Sequence, residues 1–235
     1  MLWLIENAEQ ITLSDVAPLF PCLSEARREK LESFRHKPAA VQSALAELLL
    51  RRALREEYGL TELPRVEAAE KGKPFFPDRQ DICFNLSHCK TAVACALDAA
   101  PVGVDVQEYR TICGDKHRLA APPTDKAFPH IHAAPPVYRI LSEAERAWVE
   151  AGESPEARDR RFTAVWTCKE AYGKARGTGI GYDLKSTRLI PQASYWVQYG
   201  WLFRCESRRS CALSLCASAP LALRTVGLRQ ILTAP

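Results

Sequence analysis

Three places in this 235-residue chain carry residue types that can hold ions or move protons. Asp105 sits in PVGVDVQ (101–107), Glu170 and Lys174 lie four apart in WTCKEAYGK (166–174), and Ser87-His88 closes FNLSH (84–88). Carboxylates, an ammonium, a hydroxyl and an imidazole together supply acids, bases and directional donors. Taken singly, each has an ordinary structural explanation. Asp105 fits the solvated face of a half-buried strand. Glu170 and Lys174 fit an exposed i,i+4 ion pair worth about 0.2–0.5 kcal/mol. Ser87-His88 fits the connection between two strands.

The elements that must position these groups are legible from periodicity. In PVGVDVQ, Val102, Val104 and Val106 alternate with Gly103, Asp105 and Gln107, so the valines and the polar residues face opposite sides of a strand. Glu170 and Lys174 lie on a helix over 160–176, whose stripe is Phe162, Val165, Trp166, Lys169 and Tyr172 and which Gly177-Thr178-Gly179 ends. Further strands are expected over 2–5, 82–87 and 91–97. A charged helix follows Ser24 as N-cap, a second long helix spans 39–58 with Gly59 at its end, and Ser142 opens another toward Glu150. Gly72-Lys73-Pro74 marks a turn. Residues 111–137, with five prolines and no period, form a long inter-element segment. Gly177-x-Gly179-x-Gly181 follows a helix, whereas a dinucleotide loop follows a strand. Cys113, His117, His130 and His132 match no standard zinc spacing.

Four of these blocks, in this order, resemble the surfactin-synthetase-activating (Sfp-like) class of 4'-phosphopantetheinyl transferases: Gly72-Lys73-Pro74, FNLSH at 84–88, GVDV at 103–106 and WTCKEAYGKARGTGI at 166–180. REKLESFRHK (28–37), followed by a long helix, is also similar, and the resemblance runs over about residues 20 to 216. It implies an α+β fold of two similar α/β subdomains in pseudo-twofold arrangement, each a long helix packed on a small, mostly antiparallel sheet. The division falls at 1–101 and 102–235, with the nucleotide contacts in the first part and the metal carboxylates in the second.

The implied activity is transfer of the 4'-phosphopantetheine arm of coenzyme A to a serine of an acyl or peptidyl carrier protein, with Mg2+, releasing 3',5'-ADP. Magnesium prefers hard oxygen ligands and commonly takes one or two carboxylates beside phosphate oxygens and water. The resemblance assigns Asp105 and Glu170 to the metal, Glu170 also to the general base, and Lys174 to a phosphate oxygen. Arg27, Lys30, Ser43, Lys73, Pro74, Ser87, His88, Lys169 and Lys174 match contacts to coenzyme A. Many relatives carry a third acid where this chain has Gln107, whose amide oxygen is the remaining candidate ligand; Glu108 points to the opposite face. The alternative that Gln107 favours is a coenzyme A or nucleotide-binding module with weak or no turnover. In the family, the stretch after GVDV helps to receive the carrier, so residues 111–137 are expected to shape carrier access.

Composition agrees with a globular enzyme and excludes other classes. Hydrophobic residues make up 47% and charged residues 26%, which rules out a disordered acidic chain or a collagen-like rod. A formal charge of +4 is too small to mark a nucleic-acid coat, and no aromatic-flanked basic strand or finger spacing accompanies it. It suits an anionic ligand or an acidic carrier. Nine cysteines with no CxxC pair suggest reduced thiols in the cytoplasm. The start, MLWLIENAEQ, lacks a basic n-region and is not read as a signal peptide, and no run reaches the ~18–20 apolar residues of a membrane span. A monomer suffices to build a site from the two halves.

Overall fold

A computed structural model describes residues 1–34, 37–112, 140–179 and 184–232. The first half contributes β1 (Leu2–Glu6), α1 (Leu13–Val16), α2 (Glu25–Glu32), the 22-residue α3 (Lys37–Tyr58), the two-residue strands β2 (Glu67–Ala68) and β3 (Pro74–Phe75), β4 (Cys83–His88) and β5 (Ala92–Asp98). Then follow β6 (Gly103–Glu108), α4 (Glu143–Glu150), the 22-residue α5 (Pro155–Arg176), β7 (Trp196–Gln198), β8 (Trp201–Ser207), β9 (Cys211–Ala217), β10 (Leu223–Thr225) and α6 (Leu228–Leu232). The fold is mixed α and β, with two four-stranded sheets in the orders β10-β1-β5-β4 and β6-β9-β8-β7. All neighbours in these sheets are antiparallel except β1 and β10.

Period-two alternation sorts each strand between two cores. Val93, Cys95 and Leu97 of β5, with Trp3 and Ile5 of β1, pack beneath Leu45 and Leu49 of α3. The intervening Ala92, Ala94 and Ala96, with Leu2 and Leu4, meet Val102, Val104, Val106, Leu213 and Leu215 of the second sheet. On that sheet's other side, Phe203 and Cys216 pack against Cys168, Ala171 and Tyr172 of α5. The order is therefore α3, first sheet, second sheet, α5. Each fully buried Leu or Val in these layers contributes about 1.5–3 kcal/mol relative to exposure.

Asp105 is not on a solvated face. It is 1% exposed, because α5 covers the side of β6 opposite the valines. Gly103 permits that approach: a Cβ there would stand 2.0 Å from the Ala171 carbonyl oxygen and 2.4 Å from the Ala175 nitrogen. Ser87 and His88 do not form a connection either. They are the last residues of β4, opposite Ala94 and Val93, and the turn is confined to 89–91.

Helix α5 begins at Pro155, five residues before the sequence expectation, with Ser154 accepting the Ala157 N–H at 3.1 Å and Pro at the first turn. Gly177 ends it with φ of 67°. Residues 223–232 correct the 102–235 grouping: β10 pairs with β1, and Val226 and Ile231 join the core under α3. Residues 113–139, including the expected carrier-facing segment and Cys113, His117, His130 and His132, lie outside the described residues, as do Ile180 and Gly181.

Candidate active site

The two sheets meet along β4 and β6, which share no ladder. Side chains of β4 do the pairing instead. Asn85 Oδ1 accepts the Val104 N–H at 2.8 Å, and Ser87 Oγ accepts the Val106 N–H at 3.2 Å. Buried edge N–H groups need partners, and two polar residues at i,i+2 on the inward side of β4 provide them.

Asp105 lies in this seam. Its Oδ1 accepts from Ser87 Oγ at 2.8 Å and from Lys174 Nζ at 2.6 Å. Lys174 Nζ also approaches Ser87 Oγ at 3.1 Å and the Val104 carbonyl at 3.2 Å, so all three ammonium hydrogens have acceptors. Ser87 is likewise saturated, donating once and accepting twice. Asp105 Oδ2 is buried and has no hydrogen-bond partner. An orphan carboxylate oxygen held beside a fully committed one is costly unless something else occupies it.

Glu170 stands next to that orphan electrostatically. Burial, and then the Asp105 carboxylate, push its carboxyl up to about 7, while Lys174 and Arg110 pull the other way. No described residue donates a hydrogen bond to Glu170. An acid whose proton affinity is raised by burial and by a neighbouring carboxylate with a free buried oxygen forms, with that neighbour, a site for a proton or a hard cation. Gln107 is on the same face of β6, its Oε1 receiving a long 3.4 Å contact from Arg110. Among the described residues, no group of three or more His, Cys, Asp and Glu gathers as metal ligands. Two carboxylates and an amide oxygen still fit magnesium, which keeps several waters and phosphate oxygens of its own.

The other expected contacts fall into separate places. Arg27 and Ser43 come together between α2 and α3, where Arg27 donates to Ser43 Oγ at 2.8 Å and to Glu47 at 3.3 Å. Lys30, on the same helix as Arg27, lies 5.8 Å from the centre of the Phe34 ring. Lys73 donates to the carbonyls of Val102 and Ala175, both at 3.1 Å, tying the Gly72-Lys73-Pro74 turn to the start of β6 and the end of α5. Burial lowers its ammonium pKa. Pro74 pairs with Ala68 in the small hairpin, and His88 ends β4 half-buried.

Lys169 is a correction. It is fully buried, ion-paired to Glu145 at 3.0 Å and bonded to the carbonyls of Leu184 and Thr187, so its charge is consumed inside the protein. Glu145 also accepts the N–H groups of Ser142 and Leu189 at 2.7 and 2.6 Å. Lys174 too differs from expectation: its point charge neutralises Asp105 in this structure.

The sequence reading missed Asn85, Glu47, Glu145 and Arg110. The first had a signal, since strand alternation places Asn85 on the same face as Ser87. Glu47 had one as well, as a lone acid inside the apolar run of ALAELLL. A hollow of about 460 Å³ lined by Trp148, Arg188, Ile190, Gln192 and Gln198 shares no residue with the Asp105–Glu170 site.

Comparison with known proteins agrees with this geometry. Residues 101–216, which carry Asp105, Glu170 and Lys174, match the family model described as the 4'-phosphopantetheinyl transferase superfamily. The chain is 29% identical over 165 residues to 4'-phosphopantetheinyl transferase Sfp of Bacillus subtilis (strain 168), covering 70% of this chain and 64% of the relative. It is 30% identical over 172 residues to 4'-phosphopantetheinyl transferase psf-1 of Bacillus pumilus, covering 73% and 65%. Over 135 residues it is 34% identical to 4'-phosphopantetheinyl transferase AcpT of Salmonella typhi, covering 57% and 60%. The matches thus span a little under two thirds of the length of these relatives. The strand acid, the helix acid and their lysine all lie inside residues 101–216, the part of the chain that matches the 4'-phosphopantetheinyl transferase superfamily.

Proposed function

We propose that the protein transfers the 4'-phosphopantetheine group of coenzyme A to a serine hydroxyl of an acyl or peptidyl carrier protein and releases 3',5'-ADP. The observation that carries this reading is the buried, unpartnered Oδ2 of Asp105 beside Glu170. Asp105, Glu170 and the Gln107 amide oxygen would hold Mg2+, which when bound supplies charge neutralisation for the pyrophosphate. Glu170, deprotonated above about pH 7, takes the proton of the incoming serine. The serine oxygen bonds to the phosphorus on the pantetheine side, the bridging P–O bond breaks, and 3',5'-ADP leaves with that bond's electrons. Lys174 and Ser87 hold the Asp105 carboxylate fixed in direction throughout.

Arg27, Lys30, Ser43, Lys73 and His88 supply the cationic and hydrogen-bonding surface for the nucleotide end of coenzyme A. The two sheet-and-helix halves are read as a pseudo-twofold pair that builds the site at its seam within a monomer, with residues 223–232 strapping the second half to the first. The mildly basic chain suits an acidic carrier, and the thiol-rich composition suits the cytoplasm. No described helix is long and apolar enough to cross a membrane.

The test is intact-mass analysis of an apo-carrier incubated with coenzyme A, Mg2+ and the protein. The carrier is expected to gain one phosphopantetheinyl group, and to gain none with EDTA or with Glu170→Gln. An unmodified carrier across fatty-acid, polyketide and peptide pathways would leave a coenzyme A-binding module without turnover.

A further inference from the structure

Among the described residues, Glu47 is the most heavily bonded carboxylate outside the seam. It is 3% exposed in the middle of α3, an expensive place for a charge. Its Oε1 accepts from the Ser24 N–H at 2.6 Å and from Arg51 Nε at 3.1 Å. Its Oε2 accepts from Ser24 Oγ at 2.8 Å and from Arg27 Nε at 3.3 Å. Every lone-pair direction is used, and these bonds hold its pKa below the usual carboxylate value although burial opposes them.

The same network fixes Arg27. Ser24, held by Glu47, caps α2 by accepting the Arg27 N–H at 3.3 Å. The guanidinium then lies along α3, with Nε on Glu47 and one terminal nitrogen on Ser43 Oγ, one helical turn earlier. Ser43 is itself 1% exposed. The second terminal nitrogen takes no bond from a described residue, and the side chain is about one quarter exposed. A long flexible cation is thereby held by two of its three nitrogens while the third stays unbonded on a partly exposed side chain, which is preorganisation for a terminal phosphate.

We infer that Glu47 is a positioning residue that orients Arg27 and so sets the preference of this surface for adenosine nucleotides that carry a second phosphomonoester besides the one at the 5' position. This rests on the coenzyme A reading above, because it takes the ligand to be a phosphorylated adenosine. Two physical effects oppose each other at Glu47, which makes the sign informative. As a bare charge, the carboxylate repels an anionic ligand, and its removal should tighten binding. As a positioning group, its removal should loosen binding.

Calorimetric titration of the full chain with 3',5'-ADP and with 5'-AMP separates the two. The wild type should bind 3',5'-ADP at least tenfold more tightly than 5'-AMP. Glu47→Gln should cut that ratio severalfold through weaker 3',5'-ADP binding, leaving 5'-AMP affinity unchanged. Arg51→Gln removes a different donor from the same carboxylate without touching Arg27, and should keep the ratio. Circular dichroism and Tm establish that both variants fold. An unchanged or larger ratio in Glu47→Gln overturns the inference, as does an equal loss in Arg51→Gln or a wild type that does not discriminate. Carrier loading measured on the same preparation separates the readings. Loading without nucleotide discrimination removes this inference alone, and discrimination without loading removes the transferase reading alone.

Discussion

Ser87 Oγ donates to Asp105 Oδ1 across 2.8 Å, joining the C-terminal end of β4 to the centre of β6 where the two sheets meet. The hydroxyl thereby sets which Asp105 oxygen is spent and which remains free. Ser87→Ala removes this donor and the acceptor of the Val106 N–H together. Leaving buried groups unpaired costs about 1–3 kcal/mol, so Tm should fall by several degrees. Because the support behind a ligand typically matters ~10–100-fold, the Mg2+ needed for half-maximal carrier loading should rise at least about tenfold. A Tm loss with an unchanged Mg2+ requirement would reduce Ser87 to a structural role.

Glu170 gives a pH signature in the metal-free protein. Its folded pKa of about 7 exceeds the ordinary value of 4.5, so between those limits the folded state holds a proton that the unfolded chain has released. Stability from this group therefore falls as pH rises from about 4.5 to about 7 and is flat above. In EDTA, Glu170→Gln should melt several degrees above wild type at pH 8 and at nearly the same temperature at pH 4.5. A constant difference across this range would contradict the raised carboxyl.

Lys174 compensates a buried charge, so its loss should be worse than the loss of both partners. Lys174→Met strands Asp105 at 1% exposure, with an expected cost of about 3 kcal/mol or more in a denaturant titration. Combining it with Asp105→Asn should restore most of that stability while leaving carrier loading abolished. If the double variant is no more stable than the single one, Lys174 is not neutralising Asp105.

Gly103 tests the contact between β6 and α5. Gly103→Ala forces a methyl group into the α5 backbone at Ala171 and Ala175, where no side chain can rotate away. Overpacking of this kind usually costs about 1–3 kcal/mol, and a clash with backbone belongs at the upper end. Expected readouts are a lower Tm and a loss of loading larger than the stability change explains, since α5 carries Glu170. Near-normal loading in Gly103→Ala would mean that α5 can shift without disturbing its acid.

Much of this was legible in the chain itself. Two-residue alternation in PVGVDVQ placed Asp105 opposite the valines, and helical spacing put Glu170 and Lys174 on one side of one helix. Caps at Ser24, Ser142 and Gly177 appear where Ser and Gly stand, because capping depends on bonds within three or four residues. Local bonds have local signatures. What lay beyond reach were partners far apart in sequence: Ser87 with Asp105, Lys174 with both, Lys169 with Glu145, and β10 with β1. Lys169 and Lys174 are the same residue type five positions apart on one helix. Only the packing of α5, with β6 on one side and the 184–189 segment on another, sends one ammonium into the interior with Glu145 and the other to the seam with Asp105. Residue identity supplied the charges, and the distances between layers decided which of them would meet.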